Sequence, residues 1–147
     1  MLPSEIRTVL LSQHENIRAL AREVYEIAQE PTSTEACDEL RRAIDALHVA
    51  MIEHNHDEQR LLEEVLPVAD AWGEVRRVVM DDHHRHEHGA LRDALAESMR
   101  LDDWRELSIC ARRLIEDLFA HMEVEERVLL HANVLRDDVC VVEPFGG

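Results

Sequence analysis

Apolar residues recur every three or four positions along most of this chain, which is the spacing that gathers them on one face of an α-helix. The first stripe follows Ser4, a candidate N-cap, and ends at Glu30-Pro31. The second follows a capping box formed by Thr32 with Glu35 and ends at Pro67. We therefore predict two long helices in the first half of the chain.

Two more stripes follow a short connection over residues 68–73. Asp102 or Asp103 can cap the last helix, whose periodicity fades near Ala132. The third helix ends near Leu101, and its apolar positions are Val75, Val79, Met80, Leu91, Leu95 and Met99. The fourth helix carries Leu107, Ala111, Leu114, Leu118, Val128 and Leu129. Short connections favour an all-α fold, an up-down-up-down antiparallel four-helix bundle over residues 1–132 with a C-terminal tail over residues 133–147.

The tail and the composition limit the partners that we expect. The run Val139-Cys140-Val141-Val142 could dock on the bundle or on a second subunit of a homodimer, and a loosely ordered C-terminus is the alternative. The 147 residues include 32 acids and 16 bases, a net charge of -16 that repels nucleic acid and anionic membranes. No membrane span or targeting segment is evident, so we expect a soluble, cytoplasmic protein.

Cysteine and histidine point to different chemistry. Cys37, Cys110 and Cys140 are far apart and lack CxxC spacing, which is typical of reduced thiols and not of disulfides or thiolate metal ligands. Ten histidines are unusual. Three His-containing pairs have the four-residue spacing that places both side chains on one helix face. Together with one histidine of the first helix they give seven candidate ligands: His14, His54, Glu58, His84, His88, His121 and Glu125.

One such pair is more often an exposed hydrogen-bonded pair, but these seven positions share a level of the bundle. At 1.5 Å per residue, all lie roughly 10 to 21 Å from the same end. Unpaired ionisable groups in a core are strongly destabilising, so a bound metal is the simplest explanation. The set exceeds the ligands of a closed zinc site and suits two first-row ions bridged by carboxylates. Iron is the ion that we expect at this ligand set, followed by manganese or zinc.

The combined motif resembles the hemerythrin-like (HHE cation-binding) family over residues 4–132. The residues that carry the resemblance are His14-Glu15-Asn16-Ile17, His54 to Glu58, His84 to His88 with Leu91, and His121-Met122-Glu123-Val124-Glu125-Glu126. The resemblance implies a non-haem centre of two iron ions with an oxo or hydroxo bridge. It implies one iron on His84, His88 and His121. The other would lie on His14 and His54, with Glu58 and Glu125 as bridges and an open position for peroxide, O2 or nitric oxide.

This chain departs from the oxygen-carrying members in two ways. Those place an Asp five residues after the last His, whereas here Glu125 is at four and Glu126 at five. We choose Glu125 because it shares the helix face of His121, and Glu126 is the alternative. Aromatic residues that could shield bound O2 are few: Tyr25, Trp72, Trp104, Phe119 and Phe145. A poorly shielded site favours turnover over storage.

Other residues near the proposed ligands leave alternatives open. His83 could replace a ligand of the third helix, but Leu91 continues the stripe of His84 and His88. We expect surface or rim positions for His48, His56, His83, His86 and His131. Three acids lie within one turn of a ligand and could orient an imidazole or belong to a solvated face: Asp57, Asp81 and Asp117.

Three functions are compatible with these predictions. The first is catalase-like decomposition of hydrogen peroxide at the two irons. The second is reversible binding of O2 or nitric oxide by a carrier or sensor. The third is an iron sensor without catalysis.

Overall fold

The computed structural model describes residues 1–29, 34–69 and 71–138, and this part of the chain contains no strand. Its helices are α1 (Pro3–Gln29), α2 (Thr34–Ala69), α3 (Gly73–His83), α4 (Gly89–Ser98) and α5 (Trp104–Val128). A π-helical turn, His84–His88, joins α3 to α4. The all-α class expected from the sequence is confirmed for the described residues.

The π turn leaves the third predicted helix continuous but not uniform. The dihedral angles at its borders are helical, with φ −61° and ψ −40° at His84 and φ −60° and ψ −47° at Gly89. We call α3, the π turn and α4 together the third rod. The predicted uninterrupted α-helix is therefore corrected: five residues have the wider π winding, which changes where their side chains point.

The start of α1 differs from the prediction. Ser4 lies inside the helix, because Pro3 already has the fixed φ that suits a first helical position. The N–H of Leu2 donates to Oε2 of Glu5 over 2.7 Å, so the flank of the helix is closed without a serine cap. The Ser4 hydroxyl instead donates to Oδ2 of Asp137 over 2.7 Å, which ties α1 to the chain after α5.

The end of α2 also differs from the prediction. The helix continues past Pro67 to Ala69, because a proline ring has a helical φ and one lost N–H affects only the last turn. Gly73 then begins α3 in close contact with α2, since a Cβ there would lie 1.8 Å from the carbonyl oxygen of Leu66. The predicted capping residue Thr32 lies outside the described residues.

Asp103 caps α5, as expected: its side chain accepts a hydrogen bond from the backbone N–H of Arg105 over 2.8 Å. The helix ends at Val128, and the following residues form turns. Val134 and Leu135 are buried against the helices, whereas the predicted apolar run of residues 139–142 lies outside the described residues.

Two apolar clusters fill the interior on either side of a polar layer. The larger cluster combines the end of α1, the start of α2, α4 and the start of α5, with Val24, Leu40, Ile44, Leu95 and Ile115 as members. The smaller cluster joins the start of α1 to the end of α2, with Ile6, Leu10, Leu62, Met80 and Leu130 as members. The start of α1 thus meets the end of α2, and the end of α1 meets the start of α2.

Some apolar positions of the predicted stripes are exposed. Val75 and Val79 were expected in the core, but they are 53% and 52% exposed, whereas Met80 is buried. Val79 lines a crevice of about 100 Å³ between α3 and α5, which leaves its side chain open to solvent, and Val128 lines the same crevice. Val128, also expected in the core, is 38% exposed.

Two further expectations concern cysteine and membranes. The described cysteines are free thiols, with Cys37 buried and Cys110 exposed, and Cys140 lies outside the described residues. Among the described helices, none is both long enough and apolar enough to span a membrane.

Candidate metal centre

The polar layer between the two apolar clusters contains all seven predicted ligand residues. Each is less than a tenth exposed: His14, His54, Glu58, His84, His88, His121 and Glu125. They come from α1, α2, the π turn and α5. The three long helices α1, α2 and α5 and the third rod therefore all contribute. The fold therefore gathers residues that are up to 111 positions apart in sequence, the separation of His14 and Glu125.

Six of these side chains form two overlapping groups whose nitrogen and oxygen atoms lie within 4.8 Å of one another. The first group consists of His14, His54, Glu58 and Glu125. The second group consists of Glu58, His84, His88 and Glu125. His121 adjoins the second group, with its Nε2 2.5 Å from Oε1 of Glu125 and 2.6 Å from Nε2 of His88. Both glutamates belong to both groups.

The imidazoles approach the cluster through the same ring nitrogen. Nε2 of His14 lies 3.2 Å from Oε2 of Glu125, and Nε2 of His88 lies 3.0 Å from Oε1 of the same carboxylate. Nε2 of His54 and Nε2 of His84 lie 3.6 Å and 3.1 Å from Oε2 of Glu58. Nitrogens and oxygens that face each other without intervening carbon are typical of a cation site.

The π turn positions one pair of these rings. His84 and His88 stack with their centroids 4.2 Å apart and their planes at 17°. Single π turns within α-helices occur frequently at functional sites, because the extra residue redirects neighbouring side chains. Four-residue spacing in the sequence identified the pair but gave no signal for the π winding.

Two carboxylates outside the layer contact imidazoles through Nδ1. His14 donates from Nδ1 to Oε1 of Glu126 over 2.9 Å, and Arg18 holds the same oxygen at 2.7 Å. His121 donates from Nδ1 to Oε2 of Glu87 over 2.5 Å. Glu126, the alternative to Glu125 in the sequence, thus lies behind His14 and not among the clustered atoms.

A glutamine contacts the second nitrogen of His54. Oε1 of Gln13 lies 2.8 Å from Nδ1 of His54, and Nε2 of Gln13 donates to Oδ2 of Asp57 over 2.9 Å. Asp57 was a candidate for direct contact with an imidazole, but it acts on the glutamine instead. Gln13 was missed in the sequence because it lies beside the stripe.

His84 has the same arrangement. Oε1 of Gln59 lies 2.8 Å from its Nδ1, and Nε2 of Gln59 donates to Oδ1 of Asp81 over 2.8 Å. Gln59 directly follows Glu58 in the sequence, just as Gln13 directly precedes His14. Asp117, the third candidate acid, lines a groove between α4 and α5.

The remaining histidines lie around the cluster, and His83 is the nearest of them. Its ring stacks on that of His121 with centroids 4.9 Å apart, and its Nε2 lies 3.0 Å from Oε2 of Glu87. His83 forms a separate, partly exposed group with these two residues and is absent from the two buried groups. Neither buried group includes His48, His56, His86 or His131.

Burial and charge oppose each other in the cluster. Burial lowers the pKa of His121, but hydrogen bonds to Glu125 and Glu87 outweigh it and raise this pKa to about 9. Burial also lowers the pKa of His14, and its carboxylate partners again raise the pKa above the usual value. At His88 burial prevails and the pKa is lowered. Burial raises the pKa of Glu125, yet the surrounding imidazoles hold it well below its usual range.

Several buried atoms of the layer make no properly oriented hydrogen bond among the described residues, although most of them lie close to an ionisable neighbour: both carboxylate oxygens of Glu58, Oε2 of Glu125 and Nε2 of His84. Such atoms are costly to bury unless a cation completes their interactions. The donor set is imidazole and carboxylate without thiolate, which suits a first-row transition metal better than calcium. The residues present therefore fit a metal site.

Two openings reach the layer from the surface. A polar pocket of about 550 Å³ lies between α2 and the third rod, and its walls include His84, His88 and Gln59. An apolar groove of about 620 Å³ lies between α4 and α5 and reaches His121. Small molecules thus have both a polar and an apolar approach to the ligand layer.

A family model for the hemerythrin HHE cation-binding domain matches residues 5–132. This chain belongs to the hemerythrin HHE family. The resemblance expected from the motifs is confirmed, and all seven clustered residues of this hemerythrin domain lie inside the matched range. The search of curated proteins and the search of solved structures each found no match. Membership of a cation-binding family is consistent with the geometry of the cluster, whose His and Glu residues could hold a metal ion.

Proposed function

We propose that this hemerythrin domain is an up-down-up-down antiparallel bundle that binds two iron ions and decomposes hydrogen peroxide. Alternation of helix direction is supported by the two apolar clusters, in which the start of α1 meets the end of α2. A dinuclear site is supported by the two overlapping groups of donor atoms. Carboxylates with two oxygens each are suited to bridge a pair of ions.

The proposed ligands divide into unequal sets. His14 and His54 would hold one ion, three imidazoles would hold the other, and Glu58 and Glu125 belong to both groups of donor atoms. The third imidazole of the larger set is His121, which touches the second group through Glu125. Because the first ion has fewer imidazoles, a small oxidant would find an open position there.

When bound, an iron pair would supply two-electron redox chemistry, in which one peroxide with two protons is reduced to two waters and a second peroxide returns the two electrons and two protons and leaves as O2. The chain's own residues hold and orient the ligands for this cycle. The two apolar clusters exclude bulk water above and below the layer. Glu126 and Glu87 accept hydrogen bonds from Nδ1–H of His14 and His121, so these rings present Nε2 to the cluster.

The polar pocket is the observation that supports peroxide as the substrate. Its lining includes Asn55, His56 and Arg92, and no Phe, Tyr or Trp side chain among the described residues. A polar, water-like molecule such as peroxide can therefore reach the layer at His84 and His88, on the side of the larger ligand set, without crossing an apolar barrier. A protected store of O2 would need a more apolar surrounding, so this feature favours turnover.

The apolar groove favours a second candidate function, the reversible binding or sensing of O2 or nitric oxide. Ala90, Ala94 and Leu114 line this groove, which extends to Glu87 and His121. Small apolar gases partition into such an environment more readily than peroxide does. An iron sensor without catalysis would need only the metal site that both candidates share.

Metal content and peroxide turnover test the proposal. We expect about two irons per chain by elemental mass spectrometry and one O2 released for every two peroxides consumed. Glu58→Ala should lose iron and turnover together, whereas Glu53→Ala on the exposed side of α2 should keep both. Full turnover by iron-free protein would overturn the proposal. Stable absorption changes with O2 or nitric oxide, without peroxide consumption, would select the second function.

A further inference from the structure

We propose that the Asp57–Gln13 and Asp81–Gln59 pairs set the tautomer of the two imidazoles that they touch. Each pair places the ring proton on Nδ1 and leaves Nε2 bare toward the ligand layer. The inference rests on the metal centre proposed above and gives a positioning role to four side chains outside the ligand set. None of these four residues is a member of the two buried groups of donor atoms.

The carboxylate of Asp57 fixes the orientation of the amide beside His54. Asp57 forms an ion pair with Arg60, with Oδ1 3.5 Å from a guanidinium nitrogen, so it is an anion that only accepts hydrogen bonds. The amide of Gln13 must therefore turn its NH2 group toward Asp57, which lies 2.9 Å from Nε2. This leaves Oε1 of Gln13 facing Nδ1 of His54 at 2.8 Å. A carbonyl oxygen only accepts, so Nδ1 carries the proton.

The amide at His84 is fixed even more fully. Nε2 of Gln59 donates one hydrogen to Oδ1 of Asp81 over 2.8 Å and the other to Oε1 of Glu63. Asp81 in turn binds Arg77, with 2.8 Å between Oδ2 and a guanidinium nitrogen. With both amide hydrogens used, Oε1 of Gln59 accepts from Nδ1 of His84 over 2.8 Å.

The tautomer decides whether an imidazole can be a ligand at all. A neutral ring with its proton on Nδ1 has a lone pair on Nε2, the nitrogen that lies 3.1 Å from Glu58 in His84. The other tautomer would direct an N–H bond at the cation and exclude coordination. Outer partners that fix this choice typically contribute about 10- to 100-fold in metal affinity.

Neutral glutamines contact Nδ1 of His54 and His84, whereas carboxylates contact Nδ1 of the other two rings, His14 and His121. Glu126 and Glu87 are anions that raise the basicity of His14 and His121. An amide oxygen fixes the proton on Nδ1 without placing another negative charge beside the ring. A further negative charge would be unfavourable here, because the layer already contains the two buried carboxylates of Glu58 and Glu125.

The first test is nitrogen-15 NMR of the metal-free protein, which reports the tautomer of each histidine ring without any bound iron. We expect the wild type to show Nδ1–H for His54 and His84 at a pH where both rings are neutral. Asp57→Ala frees the amide of Gln13 to turn, so His54 should become a mixture of tautomers while His84 does not change. Asp45→Ala, a change of another exposed acid on α2, is the matched control and should leave both rings as in wild type.

A rescue variant separates tautomer control from general loss of structure. The double variant Gln13→Glu, Asp57→Asn keeps an acceptor beside His54 and places a donor beside that acceptor, so the Nδ1–H tautomer should return. Gln13→Leu has no acceptor and should release the ring. Affinity for ferrous iron should fall about 10- to 100-fold in Gln13→Leu and Asp57→Ala and recover in the double variant.

The outcomes distinguish this inference from the proposed function. Wild-type protein that binds two irons but has His54 as the Nε2–H tautomer would overturn the inference alone. An unchanged tautomer in Asp57→Ala and Gln13→Leu would overturn it as well. Tautomers as expected in a protein that binds no iron would support the positioning role and overturn the dinuclear site.

Discussion

Nε2 of His14 lies 3.1 Å from Nε2 of His54, so two imidazoles point the same ring nitrogen at each other inside the protein. Each ring has its Nδ1 hydrogen-bonded on the outer side, His14 to Glu126 and His54 to Gln13. Oε2 of Glu125 lies 3.2 Å from the same nitrogen of His14. Electron-rich atoms at these separations repel unless a proton or a metal ion lies among them. This geometry therefore favours a proton or a metal ion between these atoms.

Metal binding should consequently stabilise the fold. A ligand at a thousand times its dissociation constant adds about 4 kcal/mol to the free energy of unfolding, which corresponds to about 10 °C in Tm for a chain of this size. We expect that shift when ferrous iron is added to metal-free protein under anaerobic conditions, measured by thermal denaturation followed by circular dichroism.

Magnesium at the same concentration is the control, because it prefers oxygen ligands in an octahedral arrangement that this imidazole-rich layer does not offer. We expect no shift of Tm with magnesium. An equal shift with both ions would show that the stabilisation comes from the exposed acids of a chain with net charge -16 and not from the layer.

Removing the buried carboxylate of Glu58 should separate stability from metal binding. Neither of its oxygens has a hydrogen-bond partner among the described residues, and its side chain is fully buried. Glu58→Met replaces it by an apolar side chain of similar volume. Because a buried polar group without a hydrogen bond costs about 1 to 3 kcal/mol, the metal-free protein should gain up to about that amount in urea denaturation. The same variant should lose the iron-dependent rise of Tm. A destabilised metal-free variant would mean that Glu58 has a structural partner in the cluster.

Much of the cluster could be predicted because its residues follow helical periodicity. His121 and Glu125 are four apart on one helix, and the apolar stripe around them shows which face is buried. The outer partners could not be predicted in the same way. Gln13 and Glu87 contact imidazoles of neighbouring helices. Their role therefore depends on how the helices pack and not on the spacing of residues within one helix.

The errors in the fold have a similar cause. Val75 and Val79 have core spacing but are exposed, and a crevice between α3 and α5 leaves Val79 open to solvent. Ser4 has the chemistry of an N-cap, but a neighbouring proline begins the helix one residue earlier. Local propensity predicts that a helix forms, whereas its first residue and its buried face depend on contacts that are distant in sequence.

Iron binding should release a proton from His121 at neutral pH. Burial lowers its pKa, but Glu125 and Glu87 raise it to about 9, so the metal-free protein holds this proton at pH 7.5. A ligating imidazole must be neutral, so binding displaces the proton, and the contribution of this group to affinity rises about tenfold per pH unit up to pH 9. Calorimetric titration in two buffers of different ionisation enthalpy measures the release. No release at pH 7.5 would contradict His121 as a ligand.

The same pKa predicts how the metal-free fold responds to alkali. Because the folded-state pKa lies above the ordinary value of 6.5, the proton on His121 stabilises the fold fully below about pH 6.5. This contribution is lost as the pH rises through about 9. Urea denaturation of metal-free protein at pH 6.5 and pH 9 should show the loss, and Glu87→Gln should reduce the difference because it removes one of the charges that raise the pKa.

Two glycines of the third rod should respond in opposite ways to replacement by alanine. A Cβ at Gly89 would meet no atom within 4 Å, so Gly89→Ala should stabilise the protein by about 0.5 to 1 kcal/mol through lower backbone entropy of the unfolded chain. A Cβ at Gly73 would lie 1.8 Å from the carbonyl oxygen of Leu66, so Gly73→Ala should destabilise it by about 1 to 3 kcal/mol as α3 is pushed from α2. Urea denaturation measures both. Loss of iron binding in Gly89→Ala would show that the π turn depends on the flexibility of this glycine and not on the packing of His84 and His88.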